Sequence, residues 1–241
     1  MSIQLNGVPL CQNSGKKLNV LITAGGTEAD IDKVRRITNI SEGALGRAIA
    51  VEAHTRGHNV TILGPKRLPK MTGPLPNGVV HKIFRTTADL KCELEKLAKE
   101  KWDLVIHAAA VSDYRPVENS EGKISSDKDE LILKLIPNPK LIKSFREWFD
   151  RAFLVGFKLL TNVPAKERKR IALEQIRKNR TNLCFENDIS EFGPGEHKAR
   201  MVTPEGGAVP IPKGTKESVA KTFLDFVEKR LNVHWFKTEF S

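Results

Sequence analysis

Cysteine is scarce in this chain. The three present, Cys11, Cys92 and Cys184, are scattered without the short spacings of a metal site. That argues against a zinc module or a disulfide framework and reads as free thiols in a reducing compartment. Long apolar runs are missing too, and none approaches the roughly 20 residues of a membrane span. Residues 1–17 form a polar leader without the apolar core of a secretory signal. A cytoplasmic location with no membrane partner is expected. Aromatic residues make up only 6% of the 241 residues. The densest basic block, residues 164–180, contains none, so it lacks the rings on which bases stack. Nucleic acid is therefore a disfavoured partner despite a net charge of +11. The charge suits phosphorylated small molecules equally well.

What is present is an alternation of strand-like and helix-like segments. Strands are expected at 18–23, 59–63, 79–84, 103–107, 130–135, 153–157 and 182–185. Several are continuously apolar, as strands covered on both faces are. Between them, Leu90, Leu94, Leu97 and Ala98 fall at helical spacing behind Thr86 or Thr87 as N-cap. Asn138-Pro139 reads as an N-cap followed by proline at the first helical position. Leu141, Ile142, Phe145, Trp148 and Phe149 then form one apolar face. Val219, Phe223, Phe226, Val227 and Leu231 do the same behind Thr215. The fold class expected is α/β: a doubly wound, mainly parallel Rossmann-like sheet. One domain should span 18–232, with a tail over 233–241. Residues 114–129 read as a long polar loop. Residues 190–214, with five glycines and four prolines, read as a β-ribbon or flap insertion.

Two stretches carry chemistry. In Leu18 to Gly46 an apolar strand opens onto Gly25-Gly26-Thr27. A polar excursion, Asn39 and a second glycine pair, Gly43 and Gly46, follow ahead of a helix. Glycines let the backbone approach an anion, and helix-start N–H groups supply donors. The spacing is not the compact GxGxxG of dinucleotide enzymes, so the site should read more than a pyrophosphate. The second stretch is His107 to Arg115, in which small residues Ala108 and Ala109 follow a strand and let a flat ligand lie on the backbone. Asp113 then offers a carboxylate at the sheet edge. A short-chain NAD(P)-dependent oxidoreductase fails on detail, because the only tyrosine, Tyr114, is followed by Glu118 where the Tyr-x-x-x-Lys pattern needs lysine. A nucleotide- or RNA-binding protein without turnover stays open.

The motifs ITAGGT (22–27), IDKVRRITN (31–39), HAAAVSDYRP (107–116), Gly122-Lys123-Ile124, Asn138-Pro139, Val155-Gly156-Phe157 and Asn187-Asp188-Ile189-Ser190 occur in one order over roughly 18–230. Together they resemble the phosphopantothenoylcysteine synthetase family. The resemblance implies a ligase joining 4′-phosphopantothenate to L-cysteine through an acyl-nucleotidylate, in coenzyme A biosynthesis. In many bacteria this synthetase is fused behind a flavin-dependent decarboxylase. Seventeen leading residues cannot hold such a domain, so a stand-alone, flavin-free synthetase is expected.

By this resemblance Asn39 orients the reacting carboxylate, with Arg35, Gly43, Lys198 and Arg200 beside phosphopantothenate. Lys123 meets the phosphates during activation, as a mobile point charge on a loop. Gly25, Gly26, Ala108, Ala109 and Asp113 hold the nucleotide, together with Pro139, Lys140, Leu141, Ile142, Phe157 and Lys178. Mg²⁺ accompanies the nucleoside triphosphate. Ser125 and Ser126 stand where many bacterial members carry further lysines. Of the two lysines that face the nucleotide in CTP-using members, the second aligns with Lys178 and the first falls on Glu174. Lys169 or Arg170, one turn earlier, are the substitutes at hand. The reading favours CTP over ATP. Members of the family are dimers, and the 190–214 flap could close over phosphopantothenate in its own or its neighbour's site.

Overall fold

The computed structural model describes residues 16–127 and 129–239, with side chains through 231. The leader's residues 1–15, Cys11 among them, and residues 240–241 lie outside the described residues. β1 (Asn19–Thr23) is built from the apolar run expected to be central. It pairs in parallel with β4 (Asn59–Gly64) on one side and β6 (Leu104–His107) on the other. β5 (Val80–Ile83) extends the sheet beyond β4, and β9 (Phe153–Leu160) and β10 (Leu183–Asp188) extend it beyond β6. With β11 (His197–Val202) and β12 (Ala208–Gly214) beyond β10, the order of the eight-stranded sheet is β12-β11-β10-β9-β6-β1-β4-β5.

Alternation explains why these runs are apolar on every residue. Val20 and Ile22 of β1 face one core with Leu104 and Ile106 of β6. Leu21 and Val105 face the other core. The first core is covered by α1 (Ala44–Thr55) and α6 (Lys216–Glu239). The second is covered by α3 (Thr87–Leu97), through Leu90, Leu94 and Leu97, and by Phe145 and Phe149. Thr86 caps α3 in a full capping box with Asp89. α6 begins behind Thr215, as its apolar spacing requires, but runs on to Glu239, through most of the expected 233–241 tail. A short α2 (Leu68–Thr72) follows β4, and α5 (Ala165–Asn179) links β9 to β10.

Three sequence expectations are corrected. Residues 130–135 are not a sheet strand; only β8 (Leu135–Pro137) forms, and it pairs antiparallel with β7 (Tyr114–Pro116) in a separate ribbon. β9 already flanks β6, so this apolar run has no place in the sheet, and Ile132 is left 78% exposed. The 114–129 loop accordingly begins with a strand. Asn138-Pro139 does not start a helix: a 3₁₀ turn begins at Leu141 behind Lys140 and passes into α4 (Phe145–Trp148). Asn138 instead donates its side-chain amide to the Ser112 carbonyl at 3.0 Å. The 190–214 insertion forms the expected β-ribbon, and it is attached to the sheet. β11 (His197–Val202) pairs antiparallel with β10, and β12 (Ala208–Gly214) closes the sheet edge. Pro210 and Pro212 sit on that outermost strand, where a missing donor is tolerated. The polar excursion after Gly26 folds as a small hairpin, β2 (Glu28–Asp30) with β3 (Arg36–Thr38).

Candidate functional site

The two chemistry-bearing stretches meet at the carboxyl ends of β1 and β6. The Ala110 amide donates to Gly25 O at 2.9 Å, and the Thr27 amide donates to Ala110 O at 3.2 Å. The Asn39 side-chain amide also donates to Ala110 O, at 3.3 Å. The glycine spacing reflects this loop-on-loop approach. Gly25 and Gly43 both have positive φ, and a Cβ on Gly43 would lie 2.7 Å from the Gly25 nitrogen. The glycines thus let two loops touch, and Gly43 leads directly into α1. Neither Gly25 nor Gly26 lines the main cavity described next.

That cavity, of about 450 Å³, opens between the 107–113 turn, the 139–143 segment and α5. Ala109 and Asp113 line it from the turn, and Pro139, Lys140, Leu141 and Ile142 from the segment. Phe157 and Lys178 line it as well, whereas Gly25, Gly26, Ala108 and Lys123, also expected at the nucleotide, do not. Phe157 stacks on Phe185 with centroids 4.4 Å apart, which holds its ring in place. Asp113 pairs with Lys140, both side chains being more than half exposed. The Asn138 amide donates to Asp113 O at 2.8 Å and zips the two walls together. The buried lining residues are His107, Ser112, Leu141 and Asn179, Ile142 and Phe157 are half-buried beside them, and Lys140, Lys143 and Lys178 are exposed. A flat ring against Leu141, Ile142 and Phe157 and an anion beside the lysines is what such a lining can hold.

A third segment docks on the first. Buried Asp32 accepts from the amides of Val34 (2.9 Å), Arg35 (2.7 Å) and Ile124 (3.1 Å). Arg35 bonds Asp32 through Nη1 at 3.2 Å and donates through Nη2 to Ile124 O at 3.4 Å. The peptide of residue 124 is therefore gripped at its N–H and at its C=O. Burial works against the Asp32 charge, yet the N–H donors of Val34, Ile124 and Arg35 hold its carboxyl below the usual range. Lys123, exposed, sits one residue before this grip and outside the cavity lining.

The family model described as DNA/pantothenate metabolism flavoprotein C-terminal domain matches residues 15–231. The chain belongs to this family. The bifunctional coenzyme A biosynthesis protein CoaBC of Thermococcus kodakarensis is 36% identical over 214 residues, covering 88% of this chain and 51% of that protein. The chain spans about half the length of the curated relatives it matches. Among solved structures, the DNA/pantothenate metabolism flavoprotein from Streptococcus pneumoniae superposes with a TM-score of 0.78 at 30% identity, covering 88% of this chain and 99% of that one. A Cab2 variant in complex with phosphopantothenate-cysteine shares the fold, with a TM-score of 0.71 at 19% identity, covering 90% of this chain and 88% of that one.

Within this DNA/pantothenate metabolism domain the expected residues fall into groups. Asn39 and Gly43 lie at the junction of loops. Arg35 lies on the turn that receives the docked segment, and Lys123 lies on the docked segment itself. Ala108 packs against the core beside the cavity rather than lining it. Lys198 and Arg200 lie on β11, away from the cavity lining. Lys198 pairs with Glu191 at 2.9 Å, and Arg200 with the buried Glu186 at 2.6 Å. Hydrogen bonds from Arg168, and secondarily Lys198, hold Glu191 at about 2. Sequence reasoning gave no role to Ile171, Gln175 and Asn179, which line the cavity beside Lys178. Their four-residue spacing along α5 is a legible signal of one helix face. His107 was read only as part of its motif, although it lines the cavity floor.

Proposed function

We propose that this chain is a phosphopantothenate–cysteine ligase, acting as the synthetase portion of coenzyme A biosynthesis. The observation that carries the reading is the cavity at the carboxyl ends of the strands, beside the loop junction that holds Asn39. The nucleoside triphosphate lies in the cavity, with its base toward Leu141, Ile142 and Phe157 and its phosphates toward the lysine rim. Mg²⁺ enters as the partner of the triphosphate, and Asp113 and Glu174 are the cavity carboxylates able to contribute an oxygen. A carboxylate oxygen of 4′-phosphopantothenate attacks the α-phosphorus, the bond to the β-phosphate breaks, and pyrophosphate leaves. The cysteine amine then attacks the acyl carbon and loses a proton as the nucleoside monophosphate departs.

Each residue has work suited to its chemistry. Asn39 is uncharged and offers both a donor and an acceptor beside the reacting carboxylate. Lys123, on the loop clamped at residue 124, meets negative charge that grows in the first transition state. CTP is favoured over ATP, because Lys178 stands on the cavity wall although Glu174 replaces its helical neighbour. Arg35 belongs beside phosphopantothenate in the same reading, and the cations on β11, away from this cavity's lining, belong to it through a homodimer. Val34, Ile40 and Ile132, 62%, 105% and 78% exposed, suit contact with a second copy. Light scattering should give twice the chain mass.

The test is pyrophosphate release measured with CTP and ATP in parallel, with and without phosphopantothenate and cysteine. Release that requires phosphopantothenate together with a nucleotide is expected. Binding of nucleotide without any turnover would instead favour a non-catalytic nucleotide-binding protein. Lys123→Gln should slow single-turnover pyrophosphate release about tenfold or more while leaving the nucleotide Kd within about twofold. An unchanged single-turnover rate would remove Lys123 from the activation step.

A further inference from the structure

His107 ends β6 and is 7% exposed, yet it lines the cavity floor. Its ring is held on two sides. Phe145 packs against it with centroids 4.4 Å apart, and the Thr23 hydroxyl lies 2.8 Å from Nδ1. Thr23 is fully buried, and its Oγ1 accepts the Ala109 amide at 3.2 Å. Among the described residues, His107 Nδ1 is the acceptor in reach of the hydroxyl proton. A buried hydroxyl donor needs an acceptor, so Thr23 donates and Nδ1 accepts. The ring proton is thereby assigned to Nε2, which has no hydrogen-bond partner among the described residues. Burial lowers the ring's pKa to about 4, so the imidazole is neutral at neutral pH.

A neutral, oriented donor in the buried part of the lining, beside Leu141 and near Phe157, suits a ring with acceptor atoms in its plane. A triphosphate is served by the charged rim instead. We infer that His107 donates its Nε2–H to an acceptor atom of the nucleobase, making it a nucleotide-binding residue fixed in tautomer by Thr23. The inference rests on the reading that this cavity takes the nucleoside triphosphate. The base could offer a pyrimidine carbonyl oxygen or a ring nitrogen.

Two substitutions separate the donor from the packing. Glutamine places its amide nitrogen near where Nε2 lies, whereas asparagine reaches only as far as Nδ1 and keeps the Thr23 contact. Calorimetry with CTP and with ATP should give wild-type-like dissociation constants for His107→Gln. For His107→Asn the constants should rise about three- to tenfold, as for one neutral hydrogen bond lost. Phosphopantothenate affinity should stay within about twofold for both. Equal nucleotide affinity in wild type and His107→Asn overturns the inference, as does equal weakening by both substitutions. Long-range ¹⁵N–¹H correlation on the wild-type protein is the second readout, and it decides the matter if a variant fails to fold. A proton on Nε2 whose resonance moves when CTP or ATP is added is the expected result. A proton on Nδ1, or no movement with bound nucleotide, overturns it. Wild-type protein that binds neither nucleotide overturns the ligase reading along with this one. Normal wild-type binding that His107→Asn leaves unchanged overturns this one alone.

Discussion

Asn39 and Asp113 are exposed side chains at which a role in the proposed chemistry can be separated from a role in folding. Asn39 is exposed and makes a single side-chain bond, to Ala110 O at 3.3 Å. Asn39→Asp replaces that donor by an acceptor and, in the proposed reaction, adds charge beside the reacting carboxylate and phosphate. At an effective dielectric near 20, like charges about 4 Å apart repel by on the order of 4 kcal/mol. Turnover should fall steeply with little change in Tm, and normal steady-state turnover would remove Asn39 from the site. Asp113 pairs with Lys140 where both are well exposed, and exposed pairs contribute at most about 1 kcal/mol to stability. Asp113→Asn should therefore leave Tm nearly unchanged. Nucleotide affinity should drop roughly ten- to hundredfold if the carboxylate accepts a hydrogen bond from the bound nucleotide. A lost Tm with a wild-type Kd, read by calorimetry, would reduce Asp113 to a cap of its turn.

Between elements, the docking of the Lys123 loop on the 31–35 turn is the contact most open to a direct test. Asp32 accepts three amides and the Arg35 guanidinium, and one of those amides belongs to Ile124. Asp32→Asn removes the charge that holds Arg35 and weakens the grip on the peptide after Lys123. Trypsin cuts that peptide, so its cleavage there should speed up about tenfold as the segment opens locally. Cleavage at the wild-type rate would mean that the loop is held by something else. This link was not legible in the sequence, since nothing in IDKVRRITN announces a partner ninety residues on. The elements themselves were more readable. Runs buried on both faces, such as Val20 to Ile22, gave the right strands because the sheet covers them twice. The run at 130–135 is also rich in Leu and Ile and misled, because composition cannot say whether a sheet position is vacant. The 190–214 ribbon was recognisable as β, but its attachment to β10 depends on an edge that only the assembled sheet defines. On α5, the cavity face followed helical spacing and was there to be read.

At the scale of the whole molecule, two buried histidines couple folding to pH. His107 and His197 both have pKa values lowered to about 4, His107 by burial alone and His197 by burial with a smaller push from Lys216. His197 sits at the start of β11, bonded to Asn187 at 2.9 Å and packed on Phe192, some distance along the sheet from the cavity floor. In the unfolded chain both would titrate near 6.5. Between about pH 6.5 and 4 the unfolded chain therefore binds protons that the folded one refuses. Stability is fully present above 6.5 and is lost as pH falls toward 4, by on the order of 1.4 kcal/mol per pH unit for each histidine. Glu191 opens a second, lower window. Its folded value near 2, against 4.5 as the ordinary value, gives stability that is present above 4.5 and disappears as pH falls toward 2. Denaturant unfolding at closely spaced pH values should thus show a decline that begins near 6.5, well above the range of any carboxylate. His197→Gln removes one of the two protons taken up and should reduce the slope between 6.5 and 4 by about half. It leaves the cavity lining untouched, so nucleotide affinity at pH 7 should not move. A stability that stays flat down to pH 5 in the wild type would mean that neither ring is held neutral by the fold.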